Sequence, residues 1–155
     1  MRTRKAKVSD INGILVLMDQ IAIFHSTARP DWIDNKKRPI NREFLEKCIK
    51  DEGWEIFVAE EKSNIIGYCV VKINEIKNHF IFYDMVNIEV QDLCVDERYQ
   101  KKGYGRKLFE KVKKYAQGKQ ANYIELSVWE FNQNAIKFYE HLGMKKRINR
   151  MELKI

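Results

Sequence analysis

The stretch Val90-Gln-Asp-Leu-Cys-Val-Asp-Glu-Arg-Tyr-Gln-Lys-Lys-Gly-Tyr-Gly-Arg-Lys-Leu-Phe109 reads as a strand, a short polar loop, a Gly-x-Gly turn and the start of a helix. A helix N-terminus presents unpaired N–H groups and the positive end of a dipole, and so attracts phosphate. Gly103 and Gly105 let the backbone approach a pyrophosphate with no Cβ in the way. Lys101, Lys102, Arg106 and Lys107 add positive charge where basic side chains oppose the helix dipole, a placement that an anionic ligand would compensate. Two familiar glycine motifs are excluded. A dinucleotide fingerprint needs a third glycine, and a nucleotide-triphosphate loop needs Gly-Lys-Ser/Thr.

The charge of the whole chain has the same centre. Its 155 residues hold 29 Lys+Arg against 22 Asp+Glu, a formal net charge of +7. Residues 98–119 contain nine basic residues and one acid, Glu110, for a net of +8, and the rest of the chain is at −1. The excess is therefore local. It suits an anionic small molecule, and it leaves a nucleic-acid-binding stripe over 98–119 as an alternative. That alternative lacks a zinc-finger or RNP pattern.

Length and an apolar share of 45% suit one domain over residues 1–155 with a real core and exclude a disordered chain. Cys48, Cys69 and Cys94 are odd in number and lie in apolar runs, so neither a disulfide framework nor a metal site is expected. His25, His79 and His141 have no metal-ligand spacing. No stretch approaches the ~18 apolar residues of a membrane span, and the basic start at 2–7 lacks a signal-peptide core and cleavage site. A cytoplasmic protein that binds no membrane is the expectation.

Outward from the glycine turn, periodicity predicts a first strand over 2–7 and a helix capped by Ser9 or Asp10 with Ile11, Ile14, Leu15, Met18, Ile21 and Ala22 on one face. Residues 25–40 hold both prolines and read as a loop or broken helix. Asn41 caps a second helix stopped by Gly53, and strands follow over 54–60, 65–76 and up to Val95. The helix after Gly103 ends at Gly118. Residues 123–128 read as a strand, 132–142 as a helix stopped by Gly143, and the tail from Met144 as a last strand. The order, β-α-α-β-β-β-α-β-α-β, is that of a mixed α/β (α+β) domain.

A second segment completes the pattern. Gln100-x-x-Gly103-x-Gly105 is followed, about thirty residues on, by Asn132-x-x-Ala135-x-x-Phe138-Tyr139-x-x-x-Gly143. Together these resemble the two signature motifs of the GNAT N-acetyltransferases, and the resemblance spans roughly residues 54–145. It implies a central mixed, mostly antiparallel sheet flanked by helices. It also implies transfer of an acetyl group from acetyl-CoA to a primary amine of a small molecule or peptide, by direct attack in a ternary complex. Members of that family commonly dimerise, so a homodimer is a further implied partner. A member that binds the cofactor only as a sensor or scaffold is the other reading the resemblance allows.

Carried over by position, the backbone of Leu93, Cys94 and Val95 would pair with the pantetheine arm, and the segment Gln100, Lys101, Lys102, Gly103, Tyr104, Gly105, Arg106 and Lys107 would wrap the pyrophosphate. Asn132 would bond the pantetheine or a neighbouring backbone group, and Tyr139 would protonate the departing thiolate. An alkylamine is mostly protonated at neutral pH, so a base or a water chain must take its proton. Glu89 aligns with the catalytic carboxylate of the histone-acetylating branch. Asp92 lies beside the position used by polyamine-acetylating members, where this chain has Gln91. Three residues apart on one strand, the two carboxylates are expected on opposite sheet faces. His25 falls in the region that lines the acceptor site in that family. Trp129, Phe131, Tyr83 and Phe82 are read either as walls of the acceptor pocket or as core. Cys94, in a Leu-Cys-Val strand with no histidine nearby, is read as structural.

Overall fold

Five strands form one sheet in the order β1-β2-β3-β4-β5, in a computed structural model that describes residues 2–34, 36–37 and 41–155. The strands are β1 (Arg2–Lys5), β2 (Trp54–Glu61), β3 (Asn64–Ile76), β4 (Met85–Val95) and β5 (Tyr123–Leu126). The first four pair antiparallel, and β5 joins β4 in parallel after a helical crossover. This is the mixed, mostly antiparallel sheet that the resemblance implied. Lys62 and Ser63, both at positive φ (49° and 65°), make the tight turn of the β2–β3 hairpin.

Four helices cover the two faces: α1 (Ile11–Ala28), α2 (Arg42–Lys50), α3 (Tyr104–Gly118) and α4 (Gln133–His141). Alternation along the strands splits the interior into two layers. Ile56, Val58, Tyr68 and Val70 face Ile14, Leu17, Leu45 and Cys48 of α1 and α2, whereas Phe57, Cys69, Val71 and Ile88 face Leu108, Phe109 and Val112 of α3. As expected, Asn41 caps α2, its side chain accepting from the Phe44 N–H at 2.9 Å.

Four expectations need correction. The helix does not break at His25. It runs to Ala28, because Ser26 and Thr27 return their hydroxyls to the Ile23 carbonyl and the stop is Pro30, which keeps Arg29 out of the helical region. Pro39 and Ile40, also assigned to that loop, lie outside the described residues. The segment Val8–Ala28 is, by length and mean hydropathy (1.2), apolar enough to cross a membrane, although one face of α1 lies on the sheet. The tail from residue 144 onward forms no strand, and β5 ends at Leu126. Asp10 does not cap α1 with its side chain; it is engaged elsewhere.

Asp10 binds Arg4 in a two-point pair (2.6 and 3.0 Å) and accepts from the Lys7 N–H, while Arg4 Nε reaches Glu60 at 2.8 Å. The network ties β1, the start of α1 and β2 together, and its Arg4 and Asp10 side chains are only 17% and 9% exposed. Arg4 holds the Asp10 carboxyl below the usual carboxylate range. Removing one partner of a buried pair costs about 3–5 kcal/mol, so Asp10→Ala is expected to lose about 3 kcal/mol in denaturant titration. Asp10's contribution is present above its ordinary pKa of about 4 and is lost as pH falls through the lowered value.

Candidate active site

One extra residue in β4 organises the centre of the sheet. Val71 pairs with Val90, but the next residue of β3, Val70, pairs with Asp92, so Gln91 is bulged out of the ladder. The bulge reverses the expected alternation. Asp92 shares a face with its partner Val70, and Glu89 shares that same face with its partner Lys72. Both carboxylates therefore lie on the α1/α2 side, which corrects the opposite-face expectation. Simple period-two counting fails across a bulge.

The same strand also loses its neighbour. β5 pairs with β4 only from Asn87↔Tyr123 to Val90↔Leu126, while β4 continues to Val95. Beyond Val90 the two strands part, and among the described residues no strand pairs with Leu93, Cys94 and Val95 on that side. Asp92 lies on the α1/α2 face of the sheet, and Tyr139 of α4 packs with the α3-side layer.

Asp92 accepts a hydrogen bond from the hydroxyl of Tyr68, whose ring is fully buried. Burial raises the Asp92 carboxyl to about 6, against the opposing pull of the Tyr68 and Leu93 hydrogen bonds. Burial and the Asp92 charge push the Tyr68 phenol far above its ordinary value. Glu89 accepts from the Asn74 side-chain amide at 2.7 Å. Tyr139 packs beside Phe109 and Phe138, and burial raises its phenol pKa, with smaller contributions from Cys69 and Asp92. No partner holds its hydroxyl among the described residues. The Cys94 thiol donates weakly to the Leu17 carbonyl at 3.7 Å, and burial, then Asp92 and Asp96, pushes it up to about 12. That thiol is structural, as its strand context suggested.

At the end of β4 the chain turns into the glycine loop. Gln100 donates its side-chain amide to the Val95 carbonyl at 3.0 Å, fastening the loop to the strand. Lys101 (φ 58°) and Gly103 (φ 83°) are left-handed, and Gly103 caps α3 in open space, where a Cβ would meet nothing within 4 Å. Gly105 also makes room within the chain: a Cβ there would stand 3.2 Å from the Phe138 ring, so its absence lets α4 approach α3. Lys102 is turned back to the Arg98 carbonyl (3.1 Å), and Arg98 is paired with Asp96 (2.6 Å). Tyr104 donates to Glu61 at 3.0 Å. Lys101, Arg106 and Lys107 are exposed around the first turn of α3. Asn132 caps α4, accepting from the Ala135 N–H at 3.1 Å, which is the backbone role foreseen for it.

An aromatic wall stands on the α1 side. His25 meets Phe24 (5.6 Å) and Phe131 (5.9 Å), Phe131 stacks with Trp129 (5.8 Å), and the Arg29 guanidinium lies over Trp129 at 5.4 Å. Burial lowers the His25 pKa, so the ring is neutral near pH 7. His25 and Trp129 are thus brought together, whereas Phe82 and Tyr83, 54% and 88% exposed in the β3–β4 loop, are neither core nor pocket wall. They sit at the opposite end of β4 from the gap. Sequence reasoning missed Tyr68 and Phe24. A tyrosine inside the run Ile-Ile-Gly-Tyr-Cys-Val-Val did signal a buried hydroxyl in need of a partner.

Residues 21–144 match the model of the acetyltransferase (GNAT) family. A protein of Lactobacillus delbrueckii subsp. lactis named as an uncharacterized N-acetyltransferase is 26% identical over 112 residues, covering 66% of this chain and 64% of that one. The chain thus spans a little under two thirds of that relative's length. The thialysine N-epsilon-acetyltransferase of Mus musculus is 23% identical, over 92% of this chain and 82% of its own. Among solved structures, the BH1408 protein of Bacillus halodurans, crystallised as a tetramutant, superimposes with a TM-score of 0.95 over the full length of both chains at 29% identity. With the glycine loop, the parted strands and the capped α4 in place, the chain belongs to the GNAT family of acetyltransferases, enzymes that use acetyl-CoA.

Proposed function

We propose that this chain transfers the acetyl group of acetyl-CoA to a primary amine of a small molecule or peptide by direct attack in a ternary complex. The observation that carries the reading is the Gln91 bulge, which sets Asp92 on the same sheet face as Glu89, in the strand that runs on past the end of β5. Acetyl-CoA, when bound, supplies the activated acyl group. The backbone of Leu93, Cys94 and Val95, flanked by no strand on the β5 side among the described residues, would pair with an amide-bearing pantetheine arm, and the first turn of α3 with Lys101, Arg106 and Lys107 would take the pyrophosphate.

Asp92 then serves as the base. A carboxyl raised to about 6 is ionised at pH 7 yet more basic than an ordinary aspartate, so it can accept the ammonium proton directly or through one water. The backbone N–H near Leu93 or Cys94 meets the developing oxyanion. Tyr139, held protonated by burial, gives its proton to the leaving thiolate. Glu89, tied to Asn74, helps hold the acceptor ammonium, and His25 and Trp129 wall its apolar body. The murine relative named for acetylating thialysine supports a small primary-amine acceptor. A cytoplasmic location completes the proposal.

Two measurements test it. Acetyl-CoA at a hundredfold excess over its Kd should stabilise the protein by about 2.7 kcal/mol, a rise of about 5–10 °C in Tm for a domain of this size. A panel of primary amines should release free CoA thiol with matching N-acetyl product. No melting shift together with no thiol release contradicts the proposal.

A further inference from the structure

The β3–β4 loop, at the end of β4 away from the acetyl-transfer site, presents a surface of the wrong kind for water. Phe80, Ile81, Phe82 and Tyr83 follow one another in sequence and are 90%, 68%, 54% and 88% exposed. A globular chain seldom keeps so apolar a patch without a use for it. The loop is also built to lose its water. Asn78, at positive φ (53°), donates its N–H to the Asp84 carboxylate at 2.8 Å and closes the neck. The His79 ring stacks on Phe80 (4.5 Å) and Phe82 (4.6 Å). Its Nδ1 accepts the N–H groups of Ile81 (3.2 Å) and Phe82 (3.3 Å). The tip thus carries amides that are already paired, which lowers the cost of taking them into an apolar medium.

Lysines stand at the same end of the sheet. The Asn122 N–H donates to the Val86 carbonyl at 2.7 Å, and the Asn122 side chain accepts from the Val86 N–H at 3.0 Å. The base of the loop is therefore fastened to the turn that follows α3. Residues 111–123, the second half of α3 and that turn, hold Lys111, Lys113, Lys114 and Lys119 and no acid. Lys114 lies ten residues after the start of α3, about 15 Å along its axis, too far to serve phosphates at the first turn. An apolar loop tip beside exposed cations is complementary to an anionic bilayer, where the tip enters the headgroup–acyl boundary and each nearby lysine adds attraction. Nucleic acid fits less well, because Phe80 and Phe82 already stack on His79 and Ile81 has no ring face to offer a base. We propose that the chain docks peripherally on anionic lipid bilayers, with Phe80, Ile81 and Tyr83 at the boundary and Lys114 and Lys119 over the headgroups. Such a contact needs no spanning segment, and it departs from the expectation that the chain binds no membrane.

The 155-residue protein should co-sediment with phosphatidylcholine vesicles containing about 30% phosphatidylserine, and about tenfold more weakly with phosphatidylcholine alone. The double variant F80S/I81S keeps every charge and should bind the anionic vesicles about tenfold more weakly or worse. The variant K114Q/K119Q keeps the tip and should also lose about tenfold. Both should retain the wild-type circular dichroism spectrum and Tm, because the altered side chains are exposed. A wild type that binds neither vesicle overturns the proposal. So does vesicle binding that F80S/I81S retains in full, which is attraction by the basic chain as a whole. A dimer that F80S/I81S dissociates, or single-stranded RNA binding that it abolishes, gives the tip another occupant and overturns the proposal equally. None of these readouts involves acetyl transfer, so the enzymatic reading stands or falls separately.

Discussion

Asp92→Asn is expected to lower kcat by about 10²–10⁴, the usual contribution of a positioned base, while the melting shift caused by acetyl-CoA is kept. The pH profile makes this specific. The carboxylate must be ionised to accept a proton, and its folded value is about 6, so kcat/KM should climb up to pH 6 and level off above it. The asparagine variant should lose that limb. Tyr68→Phe removes a hydrogen bond that favours the ionised form, so its limb should move to higher pH with the fold intact. Glu89→Gln should raise KM for the amine and leave the limb where it is. Folding is linked with the opposite sign to that of Asp10. Asp92 binds its proton more tightly in the folded chain than in the unfolded one, so its contribution to stability falls as pH rises from about 4 to 6.

Tyr139→Phe should slow turnover by about 10², the lower end for general acid catalysis, without weakening acetyl-CoA binding. The ring would still fill its place beside Phe109 and Phe138, so stability should change little. Burial keeps the hydroxyl protonated well above neutral pH, and no alkaline limb from this group is expected below pH 10. Titrating acetyl-CoA against wild type and variant by calorimetry, beside single-turnover rates, separates binding from chemistry. A variant that turns over normally removes Tyr139 from the mechanism.

What the sequence disclosed was local chemistry. The glycine turn, the Asn41 and Asn132 caps and the Gly118 stop each depend on residues within one turn of one another, so spacing alone revealed them. The Gln91 bulge could not be read that way, because an extra residue in β4 exists only relative to the register of β3. The base assignment changed with it: two carboxylates expected on opposite faces share one. The Arg4–Asp10–Glu60 network joins residues 56 apart, which hid it and left Asp10 looking like a helix cap. The tail has a strand's alternation, but a strand also needs an edge, and its own chain supplies none that it uses.

The most direct measurement of the central claim is a crystal structure with acetyl-CoA bound. The account predicts the pantetheine arm in the gap between β4 and residues 127–131, hydrogen-bonded to the backbone of Leu93–Val95. The thioester should lie between Asp92 on the α1 side and Tyr139 on the α4 side, with the pyrophosphate on the loop 100–107. An acetyl group that lies away from the gap, or that is sealed from Asp92 by intact packing, would contradict it.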